Sequence, residues 1–192
     1  MIKDWKKDVF TIPNILSLFR LVLIPVYVVI YLNATQMRDY IVAAGILAVS
    51  CLTDLVDGKI ARKYNMISTV GKILDPVADK ATQFTLIICL SVHYPVLWHL
   101  VVFFFLKESF QLIAGLITLR KGRMLTGALI TGKICTTILF VSLTVMILVP
   151  NISKTAVNVI AIIDALFMLI ALIDYIRAYF GHGDHVQDLE QK

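Results

Sequence analysis

Apolar runs of bilayer-crossing length recur along this 192-residue chain, and they leave few folds open to it. Residues 14–33, 40–63, 69–92, 96–119, 128–149 and 154–178 each supply roughly the 20 mainly apolar residues that a spanning helix needs. Short polar or proline-bearing stretches divide them: Asn33 to Asp39, Tyr64 to Ser68, His93-Tyr94-Pro95, Arg120 to Gly127 and Pro150 to Ser153. In lipid every backbone N–H and C=O must be satisfied within its own segment, so such runs are read as helices. Composition agrees. Hydrophobic residues make up 59% and charged residues 16%, against roughly 45–50% and 25% in a soluble domain, and the mean hydropathy is +0.85. The expectation is an all-α polytopic membrane protein with six transmembrane helices, forming one domain over residues 1–192. No internal repeat and no low-complexity linker divides it.

The ends differ from the runs. Residues 1–12 mix Lys3, Lys6 and Lys7 with Trp5, Val9 and Phe10, the pattern of an amphipathic segment at the membrane surface. Residues 181–192 are polar and read as a mobile tail. The first run carries Arg20 and lacks a small-residue cleavage site, so it does not read as a cleavable signal. Six spans put both termini on one side. Lys3, Lys6, Lys7, Arg62, Lys63, Arg120, Lys121 and Arg123 fall on that side, and only Arg38 and Lys154 on the other. The excess of Lys and Arg places that side in the cytoplasm and the chain in the cell membrane. The net charge of +5 suits anionic headgroups and substrates. No basic groove with stacking aromatics argues for nucleic acid. Cys51, Cys89 and Cys135 are scattered without a CxxC pair and read as small buried residues.

Four carboxylates interrupt the oily background. Asp54 and Asp57 stand at i and i+3, Asp75 and Asp79 at i and i+4, spacings that put each pair on one helix face. The second run ends and the third begins on the same membrane side, so the four converge there. Clustered carboxylates repel and are costly to desolvate. A hard divalent cation relieves both, and Mg²⁺ commonly joins carboxylates to substrate phosphates. Gly58 lets a ligand approach the backbone closely, Ala61 keeps the same face shallow, and the Arg62 fork suits phosphate oxygens. Gly71 lies one turn before Asp75 and opens the facing helix in the same way.

The pattern D-x-x-D-G-x-x-A-R, eight residues, G-x-x-x-D-x-x-x-D over Asp54–Asp79 resembles the signature of the CDP-alcohol phosphatidyltransferase family at every fixed position. The resemblance implies that an acceptor hydroxyl attacks CDP-diacylglycerol, or a related CDP-alcohol, and that CMP leaves. It also implies a homodimer and a pair of divalent cations, Mg²⁺ or Mn²⁺, held by Asp54, Asp57, Asp75 and Asp79. Asp79 would be the general base. Gly58 and Ala61 would line the cytidine pocket, Arg62 would hold the diphosphate, and Gly71 would let the nucleotide close onto the third helix, with Asp54 also on the nucleotide side.

Within the family, Pro13-Asn14-x-Leu16-Ser17-x-x-Arg20, Leu74-Asp75-Pro76-x-Ala78-Asp79-Lys80 and Gly132-Lys133-x-x-Thr136 resemble bacterial phosphatidylglycerophosphate synthases. That implies glycerol 3-phosphate as acceptor. Lys133 is the candidate for its charge, with Lys107, Arg120 and Arg123 behind it. One departure stands out: those synthases carry Arg-Glu early in the fourth span and a further arginine two turns on, whereas here Lys107-Glu108 is followed only by Arg120. This spacing is closer to the family's cardiolipin synthases, which take phosphatidylglycerol. An ion transporter built on an intramembrane carboxylate cluster is the alternative from another class. It leaves the fixed Gly58, Ala61, Arg62 and Gly71 unexplained. Asp164 lies deep in the sixth run and requires a polar partner, most simply across a helix–helix contact.

Overall fold

The computed structural model describes residues 11–63, 71–120, 123–125, 129–149, 151–180 and 186–188, with side chains described at all of these but 55, 57–63, 72, 73, 123–125 and 186–188. Residues 1–10, the 64–68 turn, and residues 181–185 and 189–192 of the tail lie outside the described residues.

Each helix begins and ends where local chemistry directs it. Helix α1 (Ile12–Leu32) opens with Thr11 Oγ1 accepting from the Asn14 N–H at 3.4 Å. Pro13 sits in its first turn, where a missing N–H leaves no bond unmade. Asn33 ends it, its side-chain amide donating to the Val29 carbonyl at 2.8 Å. Helix α2 (Met37–Lys63) is capped from within: Asp39 Oδ2 accepts from the Thr35 and Gln36 N–H groups, both at 2.9 Å. The Gln36 and Thr35 donors hold that carboxyl below the ordinary carboxylate range. Helix α3 (Gly71–His93) leads through a 3₁₀ turn at Pro95–Leu97 into α4 (Trp98–Arg120). Strand β1 (Arg123–Leu125), α5 (Ile130–Leu148), α6 (Lys154–Phe180) and strand β2 (Val186–Asp188) follow. The two strands pair antiparallel with Met124 opposite Gln187, which draws Arg123 and part of the tail into regular structure.

Two compact units are present, one comprising residues 1–89 and 147–150, the other residues 90–146 and 151–192. In the first, α1 packs on α2. The buried face of α1 is Pro13, Asn14, Ser17, Arg20, Tyr27 and Tyr31, whereas Ile15, Leu18, Phe19, Val22, Val26 and Val29 are exposed. Polar groups inside and large apolar groups outside invert the soluble-helix pattern and fit a helix bathed in lipid. Ala43, Leu47 and Ser50 form the buried face of α2, and Ala78, Leu86 and Ile87 that of α3. Tyr31 stacks on Tyr27 at 5.6 Å and meets Tyr40 edge-on at 5.8 Å.

In the second unit α6 packs on α4. Its buried residues are Val157, Ala161, Asp164, Met168, Ala171, Tyr175 and Ala178, a strict alternation of four- and three-residue steps. That is the spacing of a helix seam, and its alanines permit close approach. Asp164 occupies one seam position, where the Ser142 hydroxyl of α5 donates to its Oδ2 at 2.6 Å. The helix–helix partner expected for this acid is therefore a serine.

Among the described residues six long helices stand where six were expected, and four segments there are apolar enough to cross a membrane by length and composition: α1, Pro95–Arg120, α5 and α6. That group is drawn from the described residues, which leave out the side chains at 55 and 57–63 of α2 and at 72 and 73 of α3, so neither of these helices, 27 and 23 residues long, is excluded as a span.

Candidate active site

The aspartates are set by the same helix faces that make the first unit's core. On α2, Ala43, Leu47 and Ser50 lead at four- and three-residue steps to Asp54. On α3, buried Gly71 leads one turn later to Asp75, and buried Ala78 adjoins Asp79. Ser17 and Arg20 of α1 meet them.

Arg20 joins the two acidic helices. Its Nη1 lies 2.6 Å from Asp54 Oδ1 and also bonds Asp79 Oδ1. The arginine side chain is 3% exposed, the two carboxylates 42% and 47%. The guanidinium is thus enclosed while both carboxylates keep an open side for a ligand. Ser17 Oγ bonds Asp75 Oδ1 and lies 3.0 Å from the Pro13 carbonyl. Asp54 and Asp75 are both close enough to Asp79 to act on its charge. Two carboxylates about 4 Å apart repel by roughly 1 kcal/mol in water and roughly 4 kcal/mol at an effective dielectric of 20. Half-exposed groups fall between these limits, so the cluster draws positive charge. The Cys51 thiol lies within electrostatic reach of Asp54, Arg20 and Asp79.

Of the four expected aspartates, Asp54 and Asp79 therefore meet at Arg20, and Asp75 is tied to the same face of α1 through Ser17. Asp57, Gly58, Ala61 and Arg62 occupy the last turns of α2, and the side chains there lie outside the described residues. The residues expected for the acceptor belong to the second unit. Lys107 is 3% exposed and ion-paired with Glu108 at 2.6 Å. Lys133 is exposed in the first turn of α5, and Arg120 is exposed at the end of α4. Arg123 is in β1, its side chain outside the described residues. In the sequence Ser17 and Arg20 stand out only through the Pro13–Arg20 motif; with Asn14 they recur every three residues as a polar stripe on α1, a spacing that does not say which helices the stripe meets.

Among the described residues no group of three or more His, Cys, Asp or Glu is arranged to hold a metal ion. The donor chemistry nonetheless fits one. Carboxylate oxygens from two helices meet at a single point of positive charge, hard oxygen donors of the kind Mg²⁺ and Mn²⁺ take.

Residues 10–173 match the CDP-alcohol phosphatidyltransferase family, and the chain belongs to it, a family of membrane enzymes that use a divalent metal. Its relatives are more particular. It is 33% identical over 171 residues to the CDP-diacylglycerol–glycerol-3-phosphate 3-phosphatidyltransferase of Aquifex aeolicus, covering 85% of this chain and 93% of that one. Proteins of the same name from Blochmanniella floridana and Escherichia coli K12 are 36% identical over 90 residues and 37% over 89. Those shorter matches cover 47% of both chains in the first case, and 46% of this chain and 48% of the relative in the second.

Proposed function

We propose that this protein transfers the phosphatidyl group of CDP-diacylglycerol to glycerol 3-phosphate, forming phosphatidylglycerophosphate and releasing CMP. The observation that carries this reading is the convergence of Asp54, Asp75 and Asp79 from α2 and α3 at a half-exposed cluster. The activity named for relatives such as the A. aeolicus protein gives the acceptor.

The acceptor hydroxyl oxygen forms a bond to the phosphorus that bears diacylglycerol. The bond from that phosphorus to the oxygen of the CMP phosphate breaks, and CMP takes the bonding pair. Asp79 takes the hydroxyl proton. Phosphoryl chemistry of this kind depends on positioning and charge neutralisation more than on covalent help from the protein. Asp54, Asp57, Asp75 and Asp79 would hold two divalent cations, Mg²⁺ or Mn²⁺, whose charge offsets that of the diphosphate. Arg62 binds the diphosphate, while Gly58, Ala61 and Gly71 leave room for the nucleotide. Lys133 is the candidate cation for the acceptor phosphate, and exposed Arg120 and Arg123 come next. Lys107 comes last, since Glu108 already takes its charge. The protein works as a homodimer with six spans, its termini and aspartates at the cytoplasmic face of the cell membrane.

Phosphatidylglycerol as acceptor, the cardiolipin synthase reaction, is the second reading, and Lys107-Glu108 in place of Arg-Glu is what favours it. The test is one assay. Purified protein, CDP-diacylglycerol and Mg²⁺ or Mn²⁺ are offered glycerol 3-phosphate, phosphatidylglycerol, inositol phosphate or serine separately, and CMP and the lipid product are identified. Phosphatidylglycerophosphate is expected with glycerol 3-phosphate. Product with phosphatidylglycerol alone would overturn the acceptor, and no CMP with any of them would overturn the reaction class.

A further inference from the structure

The polar stripe of α1 has no part in the chemistry above, yet it touches every described aspartate of the cluster. Arg20 is 2% exposed within a helix long and apolar enough to cross a membrane. A cation enclosed there is costly without a counter-charge. Two counter-charges meet it among the described residues: Nη1 is shared by Asp54 of α2 and Asp79 of α3. One turn earlier Ser17, fully buried, bonds Asp75. A helix outside the acidic motif thus contacts all three carboxylates, the groups that would hold a bound cation.

We infer that Arg20 is a resident counter-cation, a positioning residue that holds Asp54 and Asp79 together across α2 and α3 while no metal is bound, with Ser17 fixing Asp75. This rests on the reading of these aspartates as cation ligands. Without a positive charge the carboxylates would repel, and the ends of α2 and α3 would separate. Arg20 together with Lys80, which also acts on Asp79, is outnumbered by the three carboxylates, so the cluster stays net negative and still attracts a divalent ion. Arg20 and the ion then compete for, or share, the same oxygens. The planar guanidinium can bond two carboxylates in fixed directions, which an ammonium does less well.

The test uses the full chain in detergent or nanodiscs, with thermal melting as readout and Mn²⁺ as the probe. In EDTA, Arg20→Gln melts several degrees below wild type, and Arg20→Lys falls between. Saturating Mn²⁺ raises the melting temperature of Arg20→Gln by more than it raises that of wild type, because the ion supplies the charge that was removed. In an Asp54→Asn background, where one repelling carboxylate is gone, Arg20→Gln costs less than it does alone. A purely packing role for Arg20 predicts equal Mn²⁺ shifts and additive losses, and either result overturns the proposal. Should Arg20→Gln fail to fold, the Arg20→Lys and Asp54→Asn comparison carries the same test. Wild-type CMP release is measured in parallel. Its absence would sink the proposed reaction while leaving the melting comparison intact, and its presence with equal Mn²⁺ shifts would sink the role of Arg20 alone.

Discussion

Asp79 is the side chain on which the proposed proton transfer turns, and it has two roles that a single substitution can separate. Asn keeps an Oδ1 that accepts from Arg20 but cannot take a proton, so Asp79→Asn preserves the contact to α1. A general base contributes roughly 10²–10⁴ in rate, so CMP release by Asp79→Asn is expected to fall at least about 10²-fold. Binding of CDP-diacylglycerol, followed by equilibrium titration, is expected to persist. An Asn variant that turns over normally would remove Asp79 as the base. Gly132 makes a purely steric case. A Cβ there would lie 2.6 Å from the Tyr175 hydroxyl and 3.0–3.1 Å from its ring, and Tyr175 is 3% exposed, with little room to swing away. Forced overpacking of this kind costs about 1–3 kcal/mol. Gly132→Ala is expected to lower the melting temperature, and adding Tyr175→Phe to recover part of the loss by removing the closest atom. Equal melting of Gly132→Ala and wild type would count against the observed packing. The glycine was visible in the sequence beside Lys133. Its reason, a tyrosine 43 positions later, was not, because no local spacing ties the two.

The α6 seam puts Asp164 among alanines and apolar side chains, with the Ser142 hydroxyl on one oxygen; Oδ1 has no hydrogen-bond partner among the described residues. Losing the donor to a buried acceptor costs about 1–3 kcal/mol, whereas replacing both partners with apolar groups is close to neutral. Ser142→Ala is therefore expected to destabilise the protein by about that amount in the Asp164 background and by little in an Asp164→Leu background. Melting curves of the four proteins measure it, and equal losses in both backgrounds would show that the bond joining α5 to α6 contributes nothing. Elements of this kind were largely readable in advance. The six helices follow the apolar runs, and Thr11, Asn33 and Asp39 mark their ends. The ribbon of β1 and β2 was not readable, since strands of three residues in polar stretches carry no usable period. The acidic motif named its residues through spacing within α2 and α3. It was silent on α1, because the pairing of Arg20 with Asp54 and Asp79 spans 34 and 59 positions and depends on how the helices pack.

For the whole molecule the quantity to settle is the number of crossings: among the described residues four segments are long and apolar enough by length and composition. The Arg20 ion pairs argue for six. Helix α1 is apolar enough to cross, and Arg20 lies 12 residues before its end at Leu32, about 18 Å along the axis at 1.5 Å per residue. Asp54 lies 17 residues after the start of α2 at Met37, about 26 Å along it. A contact at 2.6 Å between them requires α2 to return beside α1 to the depth of Arg20, and Asp79 binds α3 to the same level. Asp54 and Asp79 then meet a counter-charge at Arg20, which lessens the cost of bringing α2 and α3 into the bilayer. Positions outside this pair cannot distinguish the two topologies, because two extra crossings restore the same side. With the termini placed in the cytoplasm as proposed, the α1–α2 turn and the α5–α6 turn would face outward in both. Only the connection between α2 and α3 changes sides: inward with six crossings, outward with four. In a variant lacking Cys51, Cys89 and Cys135, single cysteines at Gln36, Asn65 and Ser153 can be treated with a membrane-impermeant maleimide on intact cells. The expected outcome is labelling of Gln36→Cys and Ser153→Cys, with Asn65→Cys labelled only after the cells are opened. Labelling of Asn65→Cys from outside would leave α2 and α3 uncrossed and put the aspartates on the wrong side for cytoplasmic glycerol 3-phosphate, ending the six-span reading and the proposed orientation together.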